Sequence, residues 1–375
     1  MKKKKFIRSR SALLTALLIG VSALPVSAQP IVKDQVFFDA VRQYIDRNYA
    51  LSVSDQQLYD AAIKGMFDAL DPYSEYMTAA EYKKFKDQTT GTHYGIGVVL
   101  GKDAAGGFQV TGVIKGSPAE AAGMKAGDRI LAINQKKIGS GMTTDELVEQ
   151  VKGVEGTEVQ LSIIRGSERR DFSILRKKFH LVSAEARVLQ DQIGYLRIRE
   201  FQEATHTEVA QLIRQLSEKG VRRLVLDLRE NHGGTLRSAV SIANYFVPKG
   251  KIVEVRYKSR QPDIYLSEGE LKFEKVAVLV SENTASAAEI LAGSIKDTGA
   301  GMLIGKKTFG KGVIQDVFPL QNGEAIKLTI ARYVLPSGVD IHGRGVAPHY
   351  PMDNPAPSEN KDLQLQAAFN YLRAN

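Results

Sequence analysis

The sequence predicts a multidomain α/β protein. It would have a helical N-terminal arm, a small β-barrel-like domain with helices, and an α/β core with a mostly parallel sheet. Three observations predict this. Apolar residues recur at three-to-four spacing within residues 30–90, as in amphipathic helices. Residues 91–178 are short strands separated by glycines. Residues 224–228 and 276–280 are nearly continuous apolar runs, typical of parallel strands buried on both faces.

The length of 375 residues predicts two or three domains. With 43% hydrophobic and 25% charged residues, the composition is that of a globular protein with enough apolar material for its cores. We divide the chain into a signal segment, a helical domain, a small β domain, a core and a C-terminal tail. Their predicted ranges are residues 1–28, 29–90, 91–178, 179–352 and 353–375.

Residues 1–28 have the pattern of a secretory signal. A basic start is followed by an apolar stretch at residues 12–24 and by Val26-Ser27-Ala28, a small-x-small cleavage pattern. An uncleaved membrane anchor is the alternative, but the apolar stretch is shorter than the ~20 residues that a spanning helix needs. We therefore expect an exported protein of the periplasm or cell envelope.

The formal net charge of +9 overstates how basic the protein is. Residues 1–28 contain six basic residues and no acidic one, which leaves +3 for the rest. That is too little to predict a nucleic-acid partner. The chain has no cysteine, which excludes a thiol nucleophile, disulfides and thiolate metal sites. No cofactor and no metal are expected.

The helical pattern of residues 30–90 is interrupted once. Asp71-Pro72 ends a helix, because the residue before a proline is pushed out of the helical region. Residues 71–77 are predicted to form a turn, and residues 80–87 one more short helix. The apolar helices suggest a helical cap or a dimerisation arm.

The small β domain resembles a PDZ domain, and the most specific part is the run at residues 117–134, rich in small residues and glycines. In such a module the amides at Gly95, Ile96 and Gly97 can hold a C-terminal carboxylate, and the next strand can pair with an extended peptide. Arg165 ends a predicted strand. It is either a solvated surface residue or a contact that couples peptide occupancy to the active site.

In the core, two turns of small residues each join a buried strand to a helix. One contains Gly233 and Gly234, and the other contains Ser286 followed by Ala287. Both are expected at the carboxyl edge of the sheet, where helix-start amides point at ligands. We predict an oxyanion hole formed by Ala287 and by Gly233 or Gly234. Close helix packing is the alternative role of the glycines.

Ser286 is the predicted nucleophile, although serine also commonly caps helices. None of the six histidines is placed convincingly to activate it, and no Gly-x-Ser-x-Gly elbow is present. Lys311, between two glycines, is the candidate general base, because burial lowers the pKa of a lysine. A solvated surface lysine is the alternative. Gln315 follows four residues later and, in a strand, would face the same way and orient the lysine amine.

These motifs together resemble the carboxyl-terminal processing peptidases, or tail-specific proteases, which are Ser/Lys enzymes with an inserted PDZ domain. The resemblance covers essentially everything after the signal segment. It is carried by residues 70–77, 117–134, 227–234, 284–290, 309–315 and 333–338. It implies that Ser286 is the nucleophile, Lys311 the base and Gln315 its support. Ala288, His349 and His232 depart from the common family residues, but none of them removes a catalytic group.

The resemblance implies an exported serine endopeptidase that binds polypeptides with free, apolar C-termini and cleaves near them. A homodimer through the N-terminal helices and a regulatory adaptor are possible partners. The alternative from another class is a non-catalytic peptide-binding scaffold on the same fold. A histidine-dependent PDZ protease is disfavoured, because no His/Asp pair is placed for it.

Overall fold

The helical pattern at the N-terminus forms two helices, α1 (Gln35–Asn48) and α2 (Asp55–Asp68). The structure is a computed structural model, and it describes residues 33–103, 105–139, 141–354 and 361–374. The signal segment predicted at residues 1–28 lies outside that range. The chain divides into one unit up to Ile63 and a second from Lys64 onward.

In the first unit, the Asp34 side chain caps α1 by accepting a hydrogen bond from the Phe37 amide at 2.9 Å. Phe38 stacks on Tyr59 with ring centroids 6.5 Å apart. No residue of α1 is buried, and several of its apolar side chains are exposed. In the described part of the chain, no helix is long and apolar enough to cross a membrane.

The second unit continues with a short strand, a capped helix and the small β domain. Thr78 and Glu81 form a reciprocal capping box at the start of the helix. The elements are β1 (Glu75–Met77), α3 (Ala79–Thr90), β2 (Thr92–Gly95), β3 (Val98–Lys102), β4 (Phe108–Val113), α4 (Pro118–Ala121), β5 (Arg129–Ile133), β6 (Lys136–Lys137), α5 (Thr144–Val151), β7 (Glu158–Arg165), β8 (Glu168–Leu175) and β9 (Lys177–His180).

The core follows, with strands and helices alternating at first, as the apolar runs predict. Its elements are β10 (Ala184–Val188), β11 (Ile193–Ile198), α6 (Thr205–Glu218), β12 (Arg223–Asp227), α7 (Leu236–Ala243), β13 (Gly250–Tyr257), β14 (Asp263–Ser267), β15 (Lys275–Val280), α8 (Ala287–Asp297), β16 (Met302–Gly305), β17 (Val313–Pro319), β18 (Ala325–Val334), β19 (Tyr350–Pro351) and α9 (Leu363–Arg373).

The small domain is an antiparallel sheet closed around its own core. The strand order is β3-β4-β5-β7-β8, with β6 beside β5. β2 and β9 pair separately where the chain enters and leaves the domain. Leu147 and Val151 of α5 are buried against the sheet together with Ile96. Because β3 lies at the edge of the sheet, its outer side can pair with another strand.

The core contains two sheets, so the prediction of a mostly parallel core is not confirmed. The first has the order β10-β11-β12-β15-β16-β19, and only β10 runs antiparallel to its neighbour. The second has the order β1-β18-β13-β14, with β17 also on β18, and is antiparallel throughout. We expected β17 and β18 to complete the parallel sheet; instead they form a hairpin in the second sheet.

Alternate residues of the parallel strands face two separate apolar layers, as the twofold repeat of a strand requires. Leu224 and Leu226 of β12 face the large core formed with α6, α7, α8 and the antiparallel sheet. Val225, between them, faces the layer formed with Ala368 and Leu372 of α9. The C-terminal helix therefore covers the second face of the sheet.

A buried ion-pair cluster fastens α9 to the end of β12. The Arg229 guanidinium donates to Asp227 at 2.7 Å and to Asp362 at 2.8 Å, and Tyr195 donates to Asp227 at 2.7 Å. Burial alone would raise the pKa of Asp362, but hydrogen bonds from Arg229 and the Leu365 amide hold it below its usual value. This contribution to stability is present above the unfolded aspartate pKa and is lost as pH falls through the folded pKa.

Replacing Arg229 by Met should destabilise the core by about 3–5 kcal/mol, because Asp227 would remain buried without its cation. The effect is measured by urea unfolding of the variant in a chain that also carries Ser286→Ala, with far-UV circular dichroism as the readout. Arg222→Met removes an exposed cation paired with Glu274 at 3.5 Å and is the matched control. Equal unfolding midpoints for the two variants would contradict this role.

Candidate active site

The Ser286 turn is fixed by hydrogen bonds before helix α8 begins. Thr284 Oγ1 donates to the Leu228 carbonyl and accepts from the Ser281 amide, each at 2.9 Å. Ser286 has φ +55° and ψ −120°, a strained conformation for a residue other than glycine. The strand-turn-helix geometry therefore holds the serine in a strained conformation at the start of α8.

The predicted catalytic residues line one cavity of about 440 Å³. Ser286, Lys311 and Gln315 all contribute to its wall, as do the predicted oxyanion residues Gly234 and Ala287. The structure thus brings together residues that lie up to 81 positions apart in the chain. Apolar side chains of Leu236, Ile290, Val313 and others complete the lining.

Two of the three amides predicted to form an oxyanion hole are free to donate. Among the described residues, the N–H groups of Ala287 and Gly234 have no hydrogen-bond acceptor. The Gly233 N–H donates to Asn231 Oδ1 at 2.8 Å, so it is occupied. The sequence predicted that either Gly233 or Gly234 supplies the second oxyanion donor. Of these two amides, only that of Gly234 is free among the described residues.

Glycine is required at both positions by the close approach of other backbone. Gly233 has φ +101°, and a Cβ there would lie 2.8 Å from the Ala285 carbonyl oxygen and 2.7 Å from the Cβ of Ser286. Gly234 has φ +137°, and a Cβ there would lie 2.2 Å from the Phe201 carbonyl oxygen. The glycines therefore have a packing role, because this packing brings their turn against Ser286, and their role as oxyanion donors stays a prediction.

Lys311 is half-buried rather than solvated, and its amine lies 4.7 Å from the centre of the Tyr73 ring. Burial lowers the pKa of Lys311, the nearby Lys327 lowers it further, and Asp71 raises it, with a net decrease. Within the described residues, no hydrogen bond joins Lys311 Nζ to Ser286 Oγ. The two residues line one cavity, and their pairing as base and nucleophile stays a prediction.

Gln315 lies on the same cavity for a reason other than strand alternation. Lys311 precedes β17, and a bulge falls between Ile314 and Gln315. The Gln315 amide Nε2 donates to Thr329 Oγ1 at 3.0 Å. Its carbonyl oxygen stays available to another donor.

A buried carboxylate, Glu289, connects the serine turn to the lysine loop. It accepts hydrogen bonds from the Ser286 amide at 2.9 Å and the Lys311 amide at 2.8 Å. It also accepts from the Gly310 amide at 2.7 Å and from Thr308 Oγ1 at 2.5 Å. Burial raises the pKa of Glu289, while these four donors oppose the rise. We did not predict this residue, although Ser-x-x-Glu at a helix start is a recognised capping signature.

Tyr333 of β18 makes a second connection between the same two segments. The side chain is fully buried, and its hydroxyl lies within hydrogen-bond distance of the Ser286 carbonyl, at 3.1 Å, and of the Lys311 carbonyl. Burial raises the pKa of Tyr333 well above its ordinary value, so the hydroxyl stays protonated. The antiparallel sheet therefore fixes the backbone on both sides of the cavity.

The predicted peptide-binding loop has free donors. The carbonyl groups of Ile96 and Gly97 accept hydrogen bonds from Ala119 and Ile114, at 2.7 and 2.9 Å. Among the described residues their own amides have no acceptor, and the loop leads directly into edge strand β3. Arg165 is partly exposed and pairs with buried Asp128 at 2.6 Å. Its contacts lie within the small domain, so its coupling role stays a prediction.

Two residues that depart from the family pattern have clear positions. His232 is exposed and lines the cavity. His349 Nδ1 accepts a hydrogen bond from the Leu303 amide at 3.0 Å, which accounts for a histidine at this position. Burial, and then the charge of Lys296, lower the pKa of His349 and favour this neutral acceptor.

Comparison with protein families identifies three segments. Residues 192–352 match the model of peptidase family S41 and residues 84–164 match the PDZ domain. Residues 32–81 match the N-terminal domain of the activating protease CtpB.

Curated relatives include probable CtpA-like serine proteases of staphylococci. A protein from Staphylococcus aureus strain RF122 is 38% identical over 320 residues, covering 84% of this chain and 64% of its own length. One from Staphylococcus epidermidis is 36% identical over 354 residues, covering 92% of this chain and 72% of that protein. The chain thus spans less than two thirds of the length of the Staphylococcus aureus relatives.

Among solved structures, the photosystem II D1 C-terminal processing protease matches with a TM-score of 0.53 and 27% identity. The match covers 92% of this chain and 98% of that one. A putative S41 protease from Bacteroides fragilis has a TM-score of 0.57 at 19% identity, over 92% of this chain and 98% of that one, which shows a shared fold.

Replacing Glu289 by Gln should lower kcat/KM by about 10²-fold. One carboxylate oxygen becomes an NH₂ group, which cannot accept the two hydrogen bonds that this oxygen now accepts. The serine and lysine segments would then shift, and small displacements of reacting groups are costly. Steady-state peptide hydrolysis measures the loss. Glu274→Gln, at an exposed ion pair, is the matched control. Wild-type activity in Glu289→Gln would contradict the connecting role.

Replacing Lys327 by Met should move the acid limb of the kcat/KM profile to higher pH. Lys327 lowers the pKa of Lys311, so removing its charge raises that pKa, and the neutral amine then forms only at higher pH. Rates measured across a pH series test this. Lys251→Met, on the same antiparallel sheet, is the control. If the acid limb of the Lys327→Met profile stays in place or moves to lower pH, the claim that Lys327 lowers the pKa of Lys311 is refuted.

Proposed function

The chain belongs to peptidase family S41, and on this basis we propose that it is an exported serine endopeptidase that captures free protein C-termini and cleaves near them through an acyl-enzyme. One observation carries the proposal. Ser286, Lys311 and the unoccupied amides of Gly234 and Ala287 line the same cavity. Nucleophile, base and oxyanion donors are the three groups that acyl transfer needs.

In the proposed reaction, Ser286 Oγ attacks the scissile carbonyl carbon as neutral Lys311 accepts the hydroxyl proton. The negative charge that develops on the carbonyl oxygen is stabilised by the N–H groups of Ala287 and Gly234. Lys311 then returns its proton to the departing amine, and the acyl-enzyme forms. Water, deprotonated by the same lysine, releases the second product.

Neutral lysine is the active form, and the surroundings of Lys311 favour it. The amine is half-buried, which opposes its charge, and Gln315 is an uncharged neighbour on the cavity wall. A carboxylate in place of Gln315 would stabilise the ammonium ion instead. We propose that Gln315 Oε1 accepts an N–H of Lys311, leaving the lone pair of the amine for the serine.

For substrate capture, we propose that the amides of Ile96 and Gly97 bind the C-terminal carboxylate. The glycines that flank Ile96 have φ +155° and +80°, which supports a loop whose amides turn outward. The peptide would extend along edge strand β3, beside α5, as an added strand. The proposed peptide would end in an apolar side chain, because Ile96 and Leu147 belong to the apolar core at this place.

Export and assembly remain proposals. The signal pattern at residues 1–28 supports export to the periplasm or cell envelope. The exposed apolar side chains of α1, with Val36 74% and Tyr44 72% exposed, support a homodimer through the N-terminal helices. The match to the CtpB N-terminal domain supports regulation, and an adaptor is one possible form of it.

A peptide with a free C-terminus should be cleaved much faster than the same peptide with an amidated C-terminus, because amidation removes the captured carboxylate. Ser286→Ala should cleave neither peptide while keeping its melting temperature. Hydrolysis retained in Ser286→Ala would exclude the proposed nucleophile, and equal rates for the two peptides would exclude carboxylate capture.

The same samples separate the peptidase from a non-catalytic scaffold. The scaffold is consistent with the absence, among the described residues, of a hydrogen bond between Ser286 and Lys311. A fluorophosphonate probe should label Ser286 of the wild-type protein once peptide is bound. Peptide binding with neither labelling nor cleavage would favour the scaffold.

A further inference from the structure

A carboxylate lies near Lys311 that the proposed mechanism does not use. Asp71, in the turn after α2, accepts hydrogen bonds from the Tyr73 amide at 2.9 Å and from the Ser74 amide at 3.0 Å. Its other oxygen accepts from Ser74 Oγ at 2.9 Å. Burial alone would raise the pKa of Asp71, but these hydrogen bonds lower it, so the group is ionised.

One further hydrogen bond leaves the turn and leads to the candidate active site. Thr329 Oγ1 donates to Asp71 Oδ1 at 3.2 Å, and Gln315 Nε2 donates to Thr329 Oγ1 at 3.0 Å. The Thr329 amide also donates to Ser74 Oγ at 3.0 Å. Asp71, Thr329 and Gln315 therefore form a continuous chain of hydrogen bonds, which we call the Asp71 relay.

The chemistry of its members gives the Asp71 relay a direction. An ionised carboxylate only accepts hydrogen bonds, so the single hydroxyl proton of Thr329 is donated to Asp71. The Thr329 oxygen must then accept from Gln315, which fixes the Gln315 NH₂ group toward Thr329. The Gln315 carbonyl oxygen consequently points away from Thr329, on a side chain that shares the cavity with Lys311. Without the carboxylate, either orientation of the amide would satisfy Thr329.

The same turn also contacts the lysine directly. The Tyr73 ring lies 4.7 Å from Lys311 Nζ, and His342 packs edge-on against that ring at 6.3 Å. The charged and titratable groups around Lys311 come from four segments. They are Asp71 and Tyr73 in the turn, Glu289 in α8, Lys327 in β18, and His342 in the loop after β18.

We propose that Asp71 is a positioning residue that acts through Thr329 to fix the Gln315 amide, so that its carbonyl oxygen accepts from the amine of Lys311. The amine lone pair is then directed to Ser286. This inference rests on the proposed function of Ser286 and Lys311. The charge of Asp71 has a separate effect, because it favours the ammonium form and offsets part of the influence of burial and Lys327.

The experiment measures kcat, KM and the pH profile of peptide hydrolysis for variants of the relay. Thr329→Val keeps the shape but removes the hydroxyl, and we expect kcat to fall at least about tenfold with KM unchanged. Thr329→Ser restores the hydroxyl and should recover the wild-type kcat. Should Thr329→Val fail to fold, Thr329→Ala gives the same readout.

Asp71→Asn separates the charge from the hydrogen bonds, because asparagine keeps one acceptor oxygen. Removing the negative charge lowers the pKa of Lys311, so the acid limb should move to lower pH, opposite to the shift expected for Lys327→Met. Thr329→Val retains Asp71, and its limb should stay in place. Asp263→Asn, an exposed carboxylate paired with Arg260, is the matched control and should match the wild type.

Two results would overturn the inference. One is a wild-type kcat in Thr329→Val. The other is a loss of kcat in Thr329→Ser equal to that in Thr329→Val. An unmoved acid limb in Asp71→Asn would contradict only the separate effect of the Asp71 charge on the pKa of Lys311. Ser286→Ala, measured in parallel, distinguishes this failure from failure of the proposed function. An inactive Ser286→Ala beside normal relay variants rejects only the relay, whereas an active Ser286→Ala rejects the mechanism itself.

Discussion

The buried carboxylate of Glu289 is the interaction on which the rest of the candidate active site depends. A carboxylate without solvent is costly unless its oxygens are hydrogen-bonded, and here both oxygens are. Three of the four donors are backbone amides, and they belong to two segments that come from different strands. The backbone positions of Ser286 and Lys311 are thus fixed by main-chain hydrogen bonds to one side chain.

The two sheets of the core supply those segments. In the parallel sheet, β15 ends at Val280 and is followed by the serine turn. The lysine loop connects β16 of the same sheet to β17 of the antiparallel hairpin. Tyr333, on the hairpin strand β18, returns to the backbone of both. The cavity therefore lies where the parallel and antiparallel sheets meet, and neither sheet alone contains all the candidate catalytic residues.

Much of this could be predicted from local sequence. Strand-to-helix turns of small residues placed Ser286 and the glycines correctly on one edge, because apolar runs followed by helical periodicity are local signals. The antiparallel sheet was missed, since β1 has only three residues and a partner about 250 positions away. Strand alternation predicted that Gln315 faces the same way as Lys311; both line the cavity, although a bulge breaks that alternation. For the Asp71 relay, the local sequence shows only a turn at Asp71-Pro72. The relay could not be predicted, because it depends on a contact with the distant Thr329.

The pairing of β1 with β18 has a consequence for the order of events during synthesis. Glu75 pairs with Lys327, so the turn at Asp71 reaches its final position only after most of the chain exists. The same strand supplies Thr329 and Tyr333 to the lysine and serine segments. A partly synthesised chain already contains Ser286 and Lys311 but lacks the strand that orients them. Because contacts of such high sequence separation form slowly, we expect the Asp71 turn and strand β18 to complete the candidate site only in the last stage of folding.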